Sequence, residues 1–409
     1  MSTPEYLTAR EAVAMLGIKP ATLYTYVSRG WVTRVPDPER RGSLYLRSDI
    51  TRLKQRHDAR AGHTAVAAGA LRWGEPVIDS AITTVVDGQL YYRGRNSADL
   101  LAEGASYEQV AELLWGGALP DREPCWADAD DGVGARSVRA ALRRGAGPIR
   151  SLLTSVALLR AQSERIAGEG AEPELRRARA LIRWLASGPG WAKGRPPGRR
   201  DGVARRVTRA LGVTGEEAEH AVEAALVLAA DHELNTSTFA ARVTASAGSD
   251  LYACIAAALA ALSGPLHGGA TLRVEALLEE AMDSADPGDV VRERLARGAR
   301  LPGFGHPLYP DGDPRARLVL EHAHRIDGSN PRLAAMDAIA LAMDQAGRGG
   351  PNLDFGLVAL AQALGAGPSS AGFLFACGRL AGWVAHIHEQ RVQGERLRPR
   401  ARYVGELPG

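Results

Sequence analysis

Two histidines and one aspartate lie in Gly- and Pro-rich stretches of this chain, and they are its best candidates for chemistry. His267 lies in SGPLHGGA, His306 in LPGFGHPLYPDGDPRA and Asp354 in GPNLDFG. Glycine lets a ligand approach the backbone closely, and proline stops a helix. Two imidazoles and a carboxylate at helix breaks predict acid–base chemistry on a pre-shaped scaffold. Three helix-connecting loops that happen to carry such residues are the alternative.

A further polar stretch, DHELNTST, interrupts a long apolar region from Asp231 to Thr238. Polar groups between buried helices must find hydrogen-bond partners. His232, Asn235 and Ser237 therefore indicate either an internal hydrogen-bond network or a ligand pocket.

The elements that must position these residues are mostly helices. Apolar residues recur at helical spacing from Ser97 onward, and Thr214 is the predicted N-cap of a helix that ends at Ala230. Before Ser97, the segment PVIDSAITTVVDGQLYYRGR predicts a β-hairpin with its turn at Asp87-Gly88. We therefore expect a mainly α-helical body with a short β-hairpin near its beginning.

The first 56 residues show a different pattern of two short helices around a glycine. Thr8 and Glu11 match a capping box, Gly17 matches a helix end, and Pro20 begins a second helix. A basic loop, a short strand (LYLR) and a helix over residues 48–56 follow. This order is typical of a helix-turn-helix with a wing.

The segments LTAREAVAMLGIKPATLYTYVSRGWV and YLRSDITRL resemble the winged helix-turn-helix of MerR-like and excisionase-like proteins. The resemblance implies that the second helix contacts DNA in the major groove, with wing arginines on phosphates. The implied DNA contacts are Thr22, Tyr24, Thr25, Ser28 and Arg29. Residues 1–60 carry 11 Lys and Arg against 6 Asp and Glu, which is only modestly basic. An interaction or dimerisation module is therefore the alternative.

The overall composition is that of a globular protein with a large core. The chain has 409 residues, of which 45% are hydrophobic and 24% charged, enough for two or three domains. The three cysteines lack metal-ligand spacing, which argues against a disulfide framework and against a zinc site. No long apolar run and no signal-peptide core are visible, so we expect a cytoplasmic protein with no membrane partner.

The body resembles the citrate synthase family through a series of motifs in family order and spacing. After LYYRGRNSADLLAEGASYEQVAELLWGGALP come ADHELNTSTFAAR, SGPLHGGA, GFGHPLYPDGDPRA, PNLDFG, FACGR and LRPRARYVG, within residues 75–405. The resemblance implies a helical large domain (73–268 and 366–409), a helical small domain (269–365), an active site between them, and a homodimer. The winged helix-turn-helix would occupy residues 1–58, with a linker at 59–72.

The same resemblance implies the condensation of acetyl-CoA with oxaloacetate, followed by hydrolysis to citrate and CoA. Asp354 matches the base that removes a methyl proton from acetyl-CoA. His267 matches the neutral donor to the thioester oxygen, and His306 matches the residue that polarises the ketone of oxaloacetate. This assignment fits the chemistry, because a weakly acidic proton needs both a positioned base and a donor for the developing enolate oxygen.

The resemblance also implies the residues that bind the two substrates. His232, Arg315 and Arg379 match family ligands of oxaloacetate, and Arg398 would be contributed by the partner subunit. Residues along CoA would be Leu301, Pro302, Gly303 and Phe304. No cofactor is expected beyond acetyl-CoA as co-substrate, and no metal.

Three departures from the family pattern leave the substrate open. Pro307-Leu308-Tyr309 replaces Arg-Val-Tyr, which removes a cation near the expected path of CoA, and Thr271 replaces Asn. Gly356 follows Asp354-Phe355 in place of Tyr or His, and we expect it to reshape the wall beside the base. The altered wall suggests one alternative, a 2-methylcitrate synthase or related enzyme that uses another acyl-CoA. The helix-turn-helix suggests another, a DNA-binding regulator that senses a CoA thioester or keto acid.

Overall fold

The computed structural model describes residues 6–28, 32–36, 43–47, 49–50, 78–127, 135–142, 146–162, 170–188, 198–310, 312–399 and 405. The chain divides into two compact units, residues 1–79 with 398–409 and residues 80–397. The predicted linker at 59–72 and nearly all of the predicted helix 48–56 lie outside the described residues. No helix in the described ranges is long and apolar enough to cross a membrane.

The described residues of the first unit include two short helices and a three-stranded antiparallel sheet. Its elements are β1 (Tyr6–Thr8), α1 (Ala9–Leu16), α2 (Pro20–Ser28), β2 (Arg34–Pro36) and β3 (Ser43–Leu46), with β3 between β1 and β2. The Thr8 hydroxyl accepts a hydrogen bond from the Glu11 amide at 3.3 Å, and the Glu11 carboxylate accepts one from the Thr8 amide at 2.8 Å. Gly17 ends α1 at φ 63°. The predicted capping box and helix end are confirmed.

The second unit opens with the predicted β-hairpin. Strands β4 (Thr83–Val86), β5 (Gln89–Tyr92) and β6 (Arg95–Asn96) form a three-stranded antiparallel sheet in chain order. Asp87 and Gly88 make the turn between β4 and β5 with φ of 49° and 69°. Two positive φ values are what a two-residue hairpin turn requires, and they explain the Asp-Gly sequence.

The rest of the second unit is helical over the described residues, which confirms the prediction of a mainly α-helical body. Its helices are α3 (Ser97–Ala102), α4 (Tyr107–Gly116), α5 (Ala135–Ala141), α6 (Pro148–Gln162), α7 (Ala171–Ala186), α8 (Val203–Ala210), α9 (Glu216–Ala229), α10 (Thr236–Ser246), α11 (Leu251–Leu262), α12 (Ala270–Met282), α13 (Pro287–Ala296), α14 (Pro314–Asp327), α15 (Pro331–Gln345), α16 (Leu353–Ala363) and α17 (Ser370–Gln393).

Helix α9 begins later than the sequence predicts. Its N-cap is Gly215, at φ 123° and without a side-chain cap, and its first helical residue is Glu216. The prediction that Thr214 is the N-cap is therefore wrong. The chain turns into the helix at the glycine, so the Thr214 hydroxyl precedes the position from which a cap reaches the first-turn amides.

Helix α17 is the centre of the second unit, because it is buried on every side from Ser370 to Ile387. Two of its glycines allow the end of α9 to lie directly against it. A Cβ at Gly378 would lie 2.8 Å from the Cβ of Ala229, and one at Gly382 would lie 2.3 Å from a carboxylate oxygen of Asp231. This close approach fixes the segment that leads into His232.

Candidate active site

Asp354 lies in the first turn of α16, not in a loop. The Asn352 side chain caps this helix and accepts hydrogen bonds from the amides of Asp354 and Phe355 at 3.1 and 3.4 Å. The Oδ1 atom of Asp354 is buried and has no hydrogen-bond partner among the described residues. A buried carboxylate oxygen without a partner is available to take a proton from a substrate.

Burial raises the pKa of Asp354 to about 7, and the nearby Asp313 carboxylate acts in the same direction. The guanidinium groups of Arg315 and Arg379 act against this rise. A carboxyl group with this pKa is a stronger base than an ordinary aspartate and is still largely ionised just above neutral pH.

The loop that carries His306 is attached to the segment that precedes Asp354. The Gly303 carbonyl accepts a hydrogen bond from the Asn352 amide at 2.9 Å, and the Gly305 amide donates to the Gly350 carbonyl at 2.9 Å. The rings of Phe304 and Phe355 pack with their centroids 4.9 Å apart. Backbone pairing therefore places the loop that carries His306 next to the start of α16, which carries Asp354.

His306 is held in one neutral tautomer. Its Nδ1 accepts a hydrogen bond from the Leu308 amide at 3.2 Å, so the ring proton lies on Nε2. Burial, followed by the charge of Arg315, lowers the pKa of His306 to about 4. At neutral pH this histidine is an uncharged hydrogen-bond donor.

His232 is buried beside His306. The two ring centroids are 4.9 Å apart and the ring planes are nearly perpendicular. The Nε2 atom of His232 is hydrogen-bonded to the Tyr309 hydroxyl at 2.9 Å. Burial, with the charges of Arg315 and Arg379, lowers the pKa of His232 well below its ordinary value, so this ring is also neutral.

His267 belongs to a hydrogen-bond network centred on Ser237. The Ser237 hydroxyl lies 2.7 Å from Nε2 of His267 and 2.7 Å from Oδ1 of Asn235, and it accepts a bond from Nε1 of Trp383 at 3.1 Å. Burial, followed by the charge of Arg379, lowers the pKa of His267 to about 4. The polar stretch Asp231–Thr238 is thus both an internal network and a part of the candidate site.

The two buried arginines of the cluster are held differently. Arg315 forms a two-pronged ion pair with Asp313, with bonds of 2.9 Å from Nε and 2.8 Å from one terminal nitrogen. Arg379 donates from Nε to the Ala229 carbonyl at 2.8 Å, and its guanidinium carbon lies 4.9 Å above the ring of Phe375. One terminal nitrogen of Arg315 and both of Arg379 make no hydrogen bond to a described residue, which leaves donors for an anion.

A second buried network supports the segment before His232. The Nδ1 atom of His386 lies 3.4 Å from a terminal nitrogen of Arg242, and arginine can only donate. The ring proton of His386 therefore lies on Nε2, which donates to the Asp231 carboxylate at 3.2 Å. Arg242 also pairs with Glu389 at 2.7 Å. Arg242, His386 and Asp231 are buried and Glu389 is half-buried, and together they hold Asp231 against α17.

The structure places six of the predicted site residues close enough for their charges to influence one another: His232, His267, His306, Arg315, Asp354 and Arg379. Arg379 affects the pKa values of His267, His232 and Asp354, and Arg315 affects those of His232, His306 and Asp354. Arg398 is exposed and belongs to the first compact unit, outside the unit that carries the other six. In the described ranges, no group of three or more His, Cys, Asp or Glu side chains could hold a metal ion.

A cavity of about 1100 Å³ lies beside this cluster, between the β4–β5 turn and the start of α14. Tyr309 and Asp313 are among its lining residues. Of the residues predicted along CoA, Leu301 and Gly303 are buried and Pro302 and Phe304 are half-buried.

The predicted DNA-contacting residues lie in or next to α2 of the first unit. Tyr24 is 55% exposed, Thr25 is exposed and Thr22 is half-buried. The side chain of Ser28 and all of Arg29 lie outside the described residues. Their role therefore stays a prediction.

The sequence analysis missed two residues of the cluster, Tyr309 and Asp313. Asp313 precedes Pro314 and caps α14, a position that the Asp-Pro pair could have indicated. Tyr309 appeared only as part of a departure from the family pattern. Its contact with His232 could not be read from spacing, because 76 residues separate the two in the chain.

The expectation that Gly356 reshapes the wall beside the base is wrong. A Cβ at Gly356 would lie 3.2 Å from the Ala316 carbonyl oxygen and 3.3 Å from the Cβ of Val319. Two residues along a helix rotate the side-chain direction by about 200°, so Gly356 and Asp354 point to opposite sides of α16. Gly356 is a point of close contact between α16 and α14.

We therefore expect the variant Gly356→Val to lose stability without changing acyl preference. Overpacking against the Ala316 backbone should cost about 1–3 kcal/mol in the free energy of unfolding. Urea denaturation measures this loss, and the ratio of kcat/KM for acetyl-CoA and propionyl-CoA measures preference. Gly116→Val is the matched control, because a Cβ at Gly116 would meet nothing within 4 Å. An altered ratio with unaltered stability would contradict the prediction.

Comparisons with known proteins show the family to which the chain belongs. The family model described as "Citrate synthase, C-terminal domain" matches residues 70–400. The chain is 34% identical over 344 residues to a citrate synthase of Haloferax volcanii, covering 78% of this chain and 90% of that protein. It is 32% identical over 359 residues to a 2-methylcitrate synthase of Shewanella oneidensis, covering 83% of this chain and 96% of that protein.

A solved structure is similar over nearly the same range. The citrate synthase of Thermoplasma acidophilum, in a ternary complex with carboxymethyl coenzyme A and oxaloacetate, aligns with a TM-score of 0.73 and 26% identity, over 84% of this chain and 97% of that chain. The family match and the curated relatives each cover most of this chain, and the fold agrees with them. The chain therefore belongs to the citrate synthase family.

Proposed function

We propose that this enzyme condenses acetyl-CoA with oxaloacetate and hydrolyses the product to citrate and CoA, with propionyl-CoA and 2-methylcitrate as the alternative pair. The observation that carries the proposal is the buried Asp354 carboxyl, whose pKa is raised to about 7, in one cluster with two neutral histidines. Such a group is poised to remove a weakly acidic proton at neutral pH, and ordinary aspartates are not.

Enolate formation and carbon–carbon bond formation each have residues whose protonation states support the step. Asp354 removes a proton from the methyl group of the thioester while His267 donates a hydrogen bond to the thioester oxygen, where negative charge develops. The enolate carbon then attacks the ketone carbon of oxaloacetate. The Nε2 proton of His306 passes to the ketone oxygen as the new carbon–carbon bond forms. Water finally cleaves the thioester and releases CoA.

Oxaloacetate is a dianion, and three buried groups in the cluster can hold it. Arg315 and Arg379 offer terminal nitrogens without partners among the described residues, and His232 completes the set. Arginine suits this task because its planar fork matches a carboxylate. We assign Leu301, Pro302, Gly303 and Phe304 to the CoA side. The backbone of Gly303 and Phe304 pairs with the segment before Asp354.

Arg398 fits the proposal as a ligand contributed across a homodimer. A large domain of residues 73–268 and 366–409 and a small domain of residues 269–365 would then close around the substrates. Mixing subunits of two inactive variants, Arg398→Ala and Asp354→Asn, tests this arrangement, because partial recovery of activity requires shared sites.

The acyl preference is decided by an assay of free thiol release across acetyl-CoA, propionyl-CoA and longer acyl-CoAs with oxaloacetate. The ratio of kcat/KM values separates a citrate synthase from a 2-methylcitrate synthase. Absence of thiol release with every acyl-CoA would contradict the proposal.

A second activity is suggested for the first unit alone. Its capped α1, the turn at Gly17, α2 and the antiparallel β2–β3 pair are consistent with a winged helix-turn-helix, and Tyr24 on α2 is exposed. The family match begins at residue 70 and gives no support to DNA binding. A gel shift with the upstream region of its own operon, at several salt concentrations, is the test. A regulator should show a shift that weakens as salt rises.

A further inference from the structure

We infer that Tyr309 is a positioning residue for the keto acid, acting through His232 and Arg315. The inference rests on the proposed assignment of those two residues to oxaloacetate. Tyr309 is 2% exposed, and its side chain contacts His232, His306 and Arg315.

The contacts of Tyr309 join three groups of the site. Its hydroxyl lies 2.9 Å from Nε2 of His232. Its ring centroid lies 5.0 Å from that of His306, and the guanidinium carbon of Arg315 lies 5.2 Å from the centroid. A cation over the ring of tyrosine is attracted by the ring electrons, more strongly where water is excluded. One side chain therefore orients an imidazole and a guanidinium that are proposed to bind the same substrate.

The backbone makes Tyr309 and His306 one rigid turn. The Tyr309 amide donates to the His306 carbonyl at 2.9 Å, and the Leu308 amide between them donates to Nδ1 of His306. Pro307 restricts the backbone of the same turn. The turn that fixes the tautomer of His306 therefore also fixes the place of the Tyr309 hydroxyl.

The protonation states of Tyr309 and His232 allow the Tyr309 hydroxyl to determine which ring nitrogen of His232 carries the proton. Burial raises the pKa of Tyr309 to about 12, so the hydroxyl keeps its proton at neutral pH. His232 is neutral and has one nitrogen that can accept. When the hydroxyl donates to Nε2, the ring proton of His232 lies on Nδ1, so this hydrogen bond fixes both the tautomer and the orientation of the ring.

The variant Tyr309→Phe removes only the hydroxyl and tests the inference. We expect oxaloacetate affinity to fall by about 3- to 10-fold, the effect of one lost buried hydrogen bond. The affinity is measured by calorimetric titration, which does not depend on turnover. In the steady state, KM for oxaloacetate should rise while KM for the acyl-CoA and kcat change less than about threefold. The matched control is Tyr91→Phe, a half-buried tyrosine on β5 outside the cluster.

Two further variants, Tyr309→Leu and His232→Gln, distinguish failure of the inference from failure of the proposed function. Tyr309→Leu also removes the ring under Arg315, so its loss of affinity should exceed that of Tyr309→Phe. His232→Gln reports on the underlying assignment. If His232→Gln weakens oxaloacetate binding and Tyr309→Phe does not, the inference is wrong and the proposed function stands. If neither variant weakens binding, the assignment of His232 is wrong. If Tyr309→Phe lowers Tm and alters kcat and both KM values alike, the residue is only structural and the inference is wrong.

Discussion

Replacing Asp354 by Asn should reduce turnover by about 10²- to 10⁴-fold, the range for loss of a general base. The carboxamide has the shape of the carboxyl group but cannot take a proton. The ligands proposed for oxaloacetate are untouched, so calorimetric titration should give an affinity close to that of the unaltered enzyme. Thiol release at saturating substrates measures the loss. Asp344→Asn, an exposed aspartate on α15, is the control.

The pH dependence of the unaltered enzyme should follow from the same carboxyl group. Because burial raises the pKa of Asp354 to about 7 and only the ionised form is a base, kcat/KM should rise with pH up to about 7 and then level. A rise complete by pH 5 would contradict the assignment of Asp354 as the base, as would an Asn variant that keeps more than a tenth of the activity.

Stability gives an independent check on the same residue. The pKa of Asp354 is higher in the folded than in the unfolded protein, so its contribution to stability is full below pH 4 and is lost as pH rises through about 7. The Asn variant has no such loss. At pH 8 the Tm of the Asn variant should therefore exceed that of the unaltered enzyme by about 2 °C or more, and the difference should vanish near pH 4.

Residue types and helix patterns were enough to predict much of this molecule. The capping box at Thr8, the hairpin turn at Asp87-Gly88 and the helical body follow from local rules that need no knowledge of tertiary contacts. The three Gly- and Pro-rich stretches each carry an ionisable group at a place where the chain must bend, and the prediction that chemistry takes place there stays a prediction.

Contacts between distant segments explain what the sequence could not predict. Gly356 appeared to be a change in the site, yet helix rotation turns it toward Ala316 and away from the base. Arg315 donates two of its hydrogen bonds to Asp313, and this pairing cannot be predicted from composition. The position of Tyr309 in the site depends on the turn that joins it to His306. In each case the missing information is the direction of a side chain across a helix or loop.

Replacing His267 should also reduce turnover strongly. The ability of His267 to donate a hydrogen bond depends on which acceptor receives the single proton of the Ser237 hydroxyl. Oδ1 of Asn235 already accepts the amides of Ser237 and Thr238, each at 3.1 Å. The Ser237 hydroxyl has one proton for two acceptors, Asn235 and Nε2 of His267. If it donates to His267, the ring proton lies on Nδ1 and can be offered to the thioester oxygen. If it donates to Asn235, Nδ1 is an acceptor and cannot stabilise an enolate.

His267→Ala should therefore lower kcat by about 10²- to 10³-fold, the range for loss of one donor to a developing oxyanion. Ser237→Ala should lower kcat less, by about tenfold, because the imidazole remains but its tautomer is no longer selected. Neither variant should change oxaloacetate affinity by more than about threefold. Thr244→Val, which removes a hydroxyl from the same helix, is the control.

Since the pKa of His267 is about 4, the ring stays neutral above pH 6, and the fold-reductions in kcat should be constant from pH 6 to 9. A Ser237→Ala enzyme with full kcat would show that the serine does not select the tautomer, and a His267→Ala enzyme with full kcat would exclude this histidine as the donor.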